Sequence, residues 1–174
     1  MASPVKFAHI VLKTQRYPEM VAWWCDFLGA QVRHGNDFIS FLSYDEEHHR
    51  IAIAALPGLE EPNRKGHGVE HFAFTYATLD DLFGQYERMK AKGISPYWTI
   101  NHGFTLSAYW RDPDGNQVET QVDTLDMEDA DAFMHGPLFA ANPIGINVDF
   151  DVLVERHRNG ASFTEITDYA TAGK

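Results

Sequence analysis

His9, His71 and Glu119 are the residues of this chain whose types and settings point most directly to chemistry. His9 stands in Phe-Ala-His-Ile-Val-Leu, His71 in Val-Glu-His-Phe-Ala-Phe, and Glu119 at the end of Asp-Pro-Asp-Gly-Asn-Gln-Val-Glu. Each lies in a short run that alternates like a β-strand, so each can aim a donor atom at a common face. Two imidazoles and one carboxylate are the set a divalent transition metal takes in an open, facial site. If the three converge, the protein is a metalloenzyme.

The elements that must position them form a repeat. In the first half, Val5–Lys13 reads as a strand with Phe7, His9 and Val11 on one face and Ala8, Ile10 and Leu12 on the other. A helix is expected from about Pro18 to Leu28: proline suits a first turn, Gly29 a C-terminal stop, and Met20, Trp24, Phe27 and Leu28 fall at helical spacing. Strands are expected at 30–33, 38–44 and 50–56, and the Pro-, Gly- and charge-rich run 57–68 reads as a linker. The second half repeats the order. Val69–Tyr76 reads as a strand, and Thr78 with Asp81 resembles a capping box. The helix it opens carries Leu79, Leu82, Phe83, Tyr86 and Met89 on one side. Strands follow near 95–100, 105–111 and 117–122, with Asp112-Pro-Asp-Gly turning between the last two.

This is an α+β chain of two tandem βαβββ modules, 5–57 and 68–123, with a helical C-terminal extension over 124–174, all within one domain. Two such modules are expected to form a curved mixed sheet around a metal-binding cavity, with helices outside. Setting Asp45 on Asp112 places Phe41 against Ala108 and Ala52 against Glu119. The first half therefore offers one ligand, His9, and the second offers two. Three protein ligands leave about three open positions on an octahedral metal.

Composition narrows the rest. The chain has 174 residues, a formal net charge of -11 and 12 Phe, 7 Tyr and 4 Trp. The acidic balance disfavours nucleic acid and anionic membranes, whose phosphates require clustered Lys and Arg. No run approaches a membrane span and no charged-then-apolar leader opens the chain. A single cysteine, Cys25, excludes an internal disulfide and suits a reducing cytoplasm. In the extension, 127–133 has a short helical pattern, 142–151 reads as extended and then as a helix cap, and Phe150, Leu153, Val154 and His157 give an apolar stripe that Gly160 stops. Such a tail would cover the cavity mouth or pack on a second subunit.

The duplicated pattern with His9, His71 and Glu119 at the starts and end of its modules resembles the vicinal oxygen chelate superfamily over residues 5–122. Within it, the chain is similar to short, one-domain type I extradiol ring-cleavage dioxygenases of the catechol 2,3-dioxygenase and biphenyl-2,3-diol dioxygenase kind. Glu47-His-His-Arg-Ile-Ala resembles that family's His-His-x-x-Ala run, which implies His49 as acid/base. His102 in Asn-His-Gly resembles its second active-site histidine. Tyr109 in Tyr-Trp-Arg-Asp-Pro-Asp-Gly-Asn-Gln-Val-Glu resembles the tyrosine upstream of its glutamate ligand. Two spans depart from the family pattern: His49 to His71 is longer and His102 to Tyr109 shorter.

The resemblance implies Fe(II) held by His9, His71 and Glu119, with Mn(II) compatible with the same donors. It implies a catecholic substrate, O2 as co-substrate and a hydroxymuconic semialdehyde-type product. It implies His49, His102 and Tyr109 as the catalytic groups, and a homo-oligomer, dimer or larger. Two alternatives stand beside it. One is a Mn(II)-dependent fosfomycin-type thiol transferase or another metal-dependent lyase or isomerase of the superfamily. The other is a metal-free drug binder like the bleomycin-sequestering proteins, with which the net charge is compatible.

Overall fold

The computed structural model describes residues 2–63 and 65–173. Of the run expected as a linker, Arg64 lies outside the described residues. The chain divides into two compact units, Met1–Gly68 with Asp112–Asn116, and Val69–Arg111 with Gln117–Lys174. Among the described residues no helix is long and apolar enough to cross a membrane.

The first unit runs β1 (Ile10–Thr14), α1 (Tyr17–Leu28), β2 (Gln31–Gly35), β3 (Ile39–Ser43) and β4 (Ile51–Ala55). Its sheet has the order β1-β4-β3-β2, with β1 parallel to β4 and the other pairs antiparallel. Helix α1 forms where the apolar stripe falls: Met20, Trp23, Trp24 and Phe27 are buried along one side. Trp23 stacks on Phe27 with ring centroids 4.4 Å apart. Gly29 ends the helix at φ 65°, a left-handed conformation that glycine adopts without a Cβ clash. Trp24 Nε1 donates to Asp112 Oδ2 at 3.2 Å. The carboxylate of Asp112 also accepts the backbone and side-chain N–H groups of Asn116, both at 2.8 Å. Burial outweighs these bonds and pushes the Asp112 carboxyl above the usual carboxylate range.

The first strand is shorter than the alternation predicts. It starts at Ile10, so His9 lies one residue before it rather than within it. The cause is local. The ladder with β4 begins at Ile10↔Ile51, and the neighbouring Arg50 spends its guanidinium on the carbonyl oxygens of Phe7 and Ala8 and on Asp45. The carbonyls of Phe7 and Ala8 thus face a side chain instead of a strand.

The second unit repeats the order: β5 (His71–Thr75), α2 (Leu79–Ala91), β6 (Trp98–Asn101), β7 (Thr105–Arg111) and β8 (Gln117–Asp123). The C-terminal extension adds α3 (Met127–Met134), α4 (Pro137–Ala141), β9 (Ile146–Asn147), α5 (Phe150–Arg158) and α6 (Phe163–Thr167). The sheet order is β5-β8-β7-β6-β9. One face of this sheet takes the helices. Trp110 and Val118, fully buried, share it with Tyr86 of α2 and Phe150 of α5, whose rings lie 5.4 Å apart. Tyr86 donates to Asp151 at 2.8 Å, tying α2 to α5. Thr78 caps α2 by accepting from Asp81 N at 3.1 Å, and its hydroxyl donates to the Asp81 carboxylate at 2.7 Å. The extension is thus more than an appended tail: β9 lengthens the sheet and α5 covers it. The short helices α4 and α6 leave no 3.6-residue stripe long enough to be read in sequence.

Candidate metal centre

The opposite face of the second sheet carries the residues that can do chemistry. Ladder partners share a face. Glu119 lies between Ala73 of β5 and Tyr109 of β7, and Tyr109 lies opposite Trp98 of β6. His71 sits two residues before Ala73 on the same strand and therefore on that face. Its Nε2 lies 3.0 Å from Glu119 Oε2. The Tyr109 hydroxyl is 3.0 Å from His102 Nε2. His102 Nε2 is 4.0 Å from Glu119 Oε1. Trp98 stacks on the Tyr109 ring at 4.7 Å, and His71 meets that ring edge-on at 5.3 Å.

Glu119 is only 4% exposed. A carboxylate so deeply buried is tolerated only where a donor compensates its lost hydration, and His71 Nε2 at 3.0 Å can supply one. Burial of the phenol, together with the nearby Glu119 charge, holds Tyr109 far above the usual tyrosine value. Tyr109 therefore stays protonated and serves as a donor.

The first unit places His9 and His49 together, ring centroids 4.3 Å apart, with Phe41 4.7 Å from His49. His48 reaches His49 through the two Nδ1 atoms at 2.6 Å. Burial, reinforced by the neighbouring imidazoles of His9 and His48, holds His49 below the usual histidine range.

The ladders also define the internal equivalence of the modules. Ala52 pairs with Val11 and Phe41, and Glu119 with Ala73 and Tyr109. His9 precedes Val11 as His71 precedes Ala73, and Ala52 holds the place of Glu119. The counterpart of Phe41 is Tyr109, not Ala108 as the alignment on Asp45 and Asp112 suggests. The β3–β4 hairpin is one residue longer than the β7–β8 hairpin, so a gapless alignment slips by one across it.

Among the described residues no group of three or more His, Cys, Asp or Glu is gathered closely enough to hold a metal. A pair is nevertheless in place. Two ligands each about 2.1 Å from an ion and at right angles to one another are about 3.0 Å apart, and His71 Nε2 and Glu119 Oε2 stand at 3.0 Å. Their donor chemistry, one imidazole and one carboxylate, fits a divalent transition metal. Sequence reasoning brought His71, Glu119, Tyr109 and His102 to notice, and all four meet on one sheet face. It missed the main-chain oxygen of Ile144, which lies against His102 Nδ1. The available signal was Gly145, a glycine inside an extended run, which marks a close backbone approach.

Residues 6–120 match the model of the Glyoxalase/Bleomycin resistance protein/Dioxygenase superfamily. The chain belongs to that superfamily. It is 41% identical over 174 residues to "Biphenyl-2,3-diol 1,2-dioxygenase 2" of Rhodococcus globerulus, covering 99% of this chain and 92% of that protein. It is 41% identical over 172 residues to "Biphenyl-2,3-diol 1,2-dioxygenase 3" of the same organism, covering 97% of this chain and 90% of that one. Among solved structures, a glyoxylase/bleomycin resistance protein/dioxygenase domain from Frankia sp. EAN1pec shares the fold. Its TM-score is 0.57 at 21% identity, over 70% of this chain and 99% of that one.

Proposed function

We propose that this superfamily member is an extradiol ring-cleavage dioxygenase that opens a catecholic ring next to its diol, using Fe(II) held by His9, His71 and Glu119. One observation carries the reading. The His71–Glu119 pair at 3.0 Å, with Tyr109 as the ladder neighbour of Glu119, occurs in a chain 41% identical, over nearly its whole length, to proteins named as biphenyl-2,3-diol dioxygenases.

Bound iron would supply the redox-active centre at which diol and O2 meet. The protein's own groups have separate tasks. Tyr109, kept protonated by burial and by Glu119, offers a hydrogen bond to a substrate oxygen. Trp98, stacked on Tyr109, gives an aromatic substrate a flat apolar neighbour. His49, held below the ordinary histidine value, is neutral at working pH and so is ready to take a proton from the diol and return it during cleavage. Both oxygen atoms of O2 enter the product, a hydroxymuconic semialdehyde, and the diol supplies the electrons.

Anaerobic reconstitution with Fe(II), then a panel of alkyl-, aryl- and fused-ring catechols with an oxygen electrode, tests the proposal. Catechol-dependent oxygen uptake with a yellow product is the expected result. Oxygen uptake restored by neither Fe(II) nor Mn(II) for any catechol would overturn it.

A further inference from the structure

His102 is the one histidine of the site whose two ring nitrogens are both engaged by protein atoms with different capacities. Nε2 faces the Tyr109 hydroxyl at 3.0 Å. Nδ1 faces the carbonyl oxygen of Ile144, in the C-terminal extension. A carbonyl oxygen accepts and never donates, so Nδ1 must carry a hydrogen. In a neutral ring the other nitrogen is then bare, and the nitrogen turned toward Tyr109 is an acceptor.

The turn that carries His102 is held by the extension on several sides. Strand β9 pairs Ile146 with Asn101 and Asn147 with Ile100. Asn101, fully buried, donates through Nδ2 to Thr167 O at 2.8 Å and accepts Gly103 N at 2.8 Å. Gly103 has φ 96°, and a Cβ there would lie 2.1 Å from the Phe133 ring of α3. Gly145 has φ 115°, and a Cβ there would lie 2.4 Å from Asn101 O and 2.9 Å from His102 Cα. The loop presenting the Ile144 carbonyl is tied by Asn142. Its Nδ2 donates to Gly145 O at 2.6 Å, and its Oδ1 accepts Gly145 N at 3.1 Å and Ile144 N at 3.3 Å. Only a glycine at 145 lets the two backbones come this close.

We propose that the C-terminal extension is a positioning element of the site: through the Ile144 carbonyl it fixes His102 as the Nδ1–H tautomer and presents a bare Nε2 to Tyr109. Ile144, Gly145 and Asn142 are positioning residues in this arrangement, acting on the site through His102. The claim concerns the tautomer of the resting protein and does not depend on which reaction the site performs.

The test uses metal-free protein labelled with 15N-histidine. A long-range 1H–15N correlation spectrum is recorded in mildly alkaline buffer, with His102→Asn identifying the His102 ring signals. The wild-type chain is expected to show Nδ1 at the shift of a protonated ring nitrogen and Nε2 at that of a bare one. Asn142→Ala and Gly145→Ala are expected to reverse that pattern or average it between the two forms. A wild-type ring protonated on Nε2 overturns the proposal. So does an Asn142→Ala protein with native near-UV circular dichroism and an unchanged ring pattern, and that variant decides the matter if Gly145→Ala does not fold. Because no turnover is measured, a chain inactive toward catechols can still pass this test, and an active dioxygenase can fail it.

Discussion

Replacing Tyr109 by phenylalanine removes one oxygen atom from the centre of the site and leaves the aromatic frame in place. The ring stacks on Trp98 and meets His71 edge-on, contacts that phenylalanine keeps. The hydroxyl faces His102 Nε2 at 3.0 Å and donates to it. A hydrogen bond to a neutral group contributes about 0.5–1.5 kcal/mol, and a buried acceptor left without a partner costs about 1–3 kcal/mol. Against this, the variant no longer buries a hydroxyl, which offsets about 1–3 kcal/mol. Tyr109 is 6% exposed, so water does not replace the lost partner.

The net expectation is a metal-free protein destabilised by about 1 kcal/mol, which in a chain of this size lowers Tm by roughly 2–4 °C. Differential scanning calorimetry of the two metal-free proteins reads that directly. On the proposed function, the same variant keeps its iron, because the phenol is not a ligand. It loses about 10–150-fold in kcat, the rate equivalent of one charge-assisted bond. Iron content by colorimetric chelation and steady-state oxygen uptake supply these values. A variant with unchanged Tm and unchanged turnover would refute the Tyr109–His102 hydrogen bond, and a variant that had lost iron would refute the division between ligands and donor.

Three further outcomes are expected. His9→Ala, His71→Ala and Glu119→Ala should each lose iron and activity together, measured by metal analysis after anaerobic reconstitution. A variant retaining stoichiometric iron would remove that residue from the ligand set. His49→Ala should keep iron and lose about 10²–10⁴-fold in turnover, the usual contribution of a general acid/base; normal turnover at full iron would end that role. Asp112 gives a pH signature. Its carboxyl is raised in the folded chain, so the native state holds the proton more tightly than the unfolded state. Stability from this group therefore falls as pH rises from the ordinary carboxylate value through the raised one. Urea unfolding across that window should show a shallower decline for Asp112→Asn than for wild type, and superimposable slopes would count against the raised value.

The repeat was legible because each signal had a local cause. The α1 stripe of Met20, Trp24 and Phe27 and its stop at Gly29 follow from helix geometry and glycine's φ freedom. The Asp112-Pro-Asp-Gly turn closes with Gly115 N donating to Asp112 O at 2.7 Å. What was not legible depends on partners distant in sequence. The start of β1 is set by the Arg50 side chain, whose reach to Phe7 and Ala8 no alternation pattern encodes. The slipped equivalence of Phe41 is set by one extra hairpin residue. The hold on His102 runs through a main-chain oxygen at Ile144, and a carbonyl has no side-chain signature to read.

The internal equivalence gives the duplication a chemical meaning. At matching ladder positions the second module carries Glu119 and Tyr109, and the first carries Ala52 and Phe41. Each substitution removes one polar function while keeping a small or aromatic side chain in the ladder. Ala52 is 1% exposed within a strand that is buried along most of its length. A carboxylate there would sit beside the Phe41 ring, where Glu119 has the Tyr109 phenol as its ladder neighbour. The two losses are therefore coupled: a carboxylate is buried at less cost beside a phenol than beside a phenyl ring. Restoring only Ala52→Glu should destabilise the chain more than restoring it together with Phe41→Tyr. A double-mutant cycle in urea that showed strict additivity would reject that coupling.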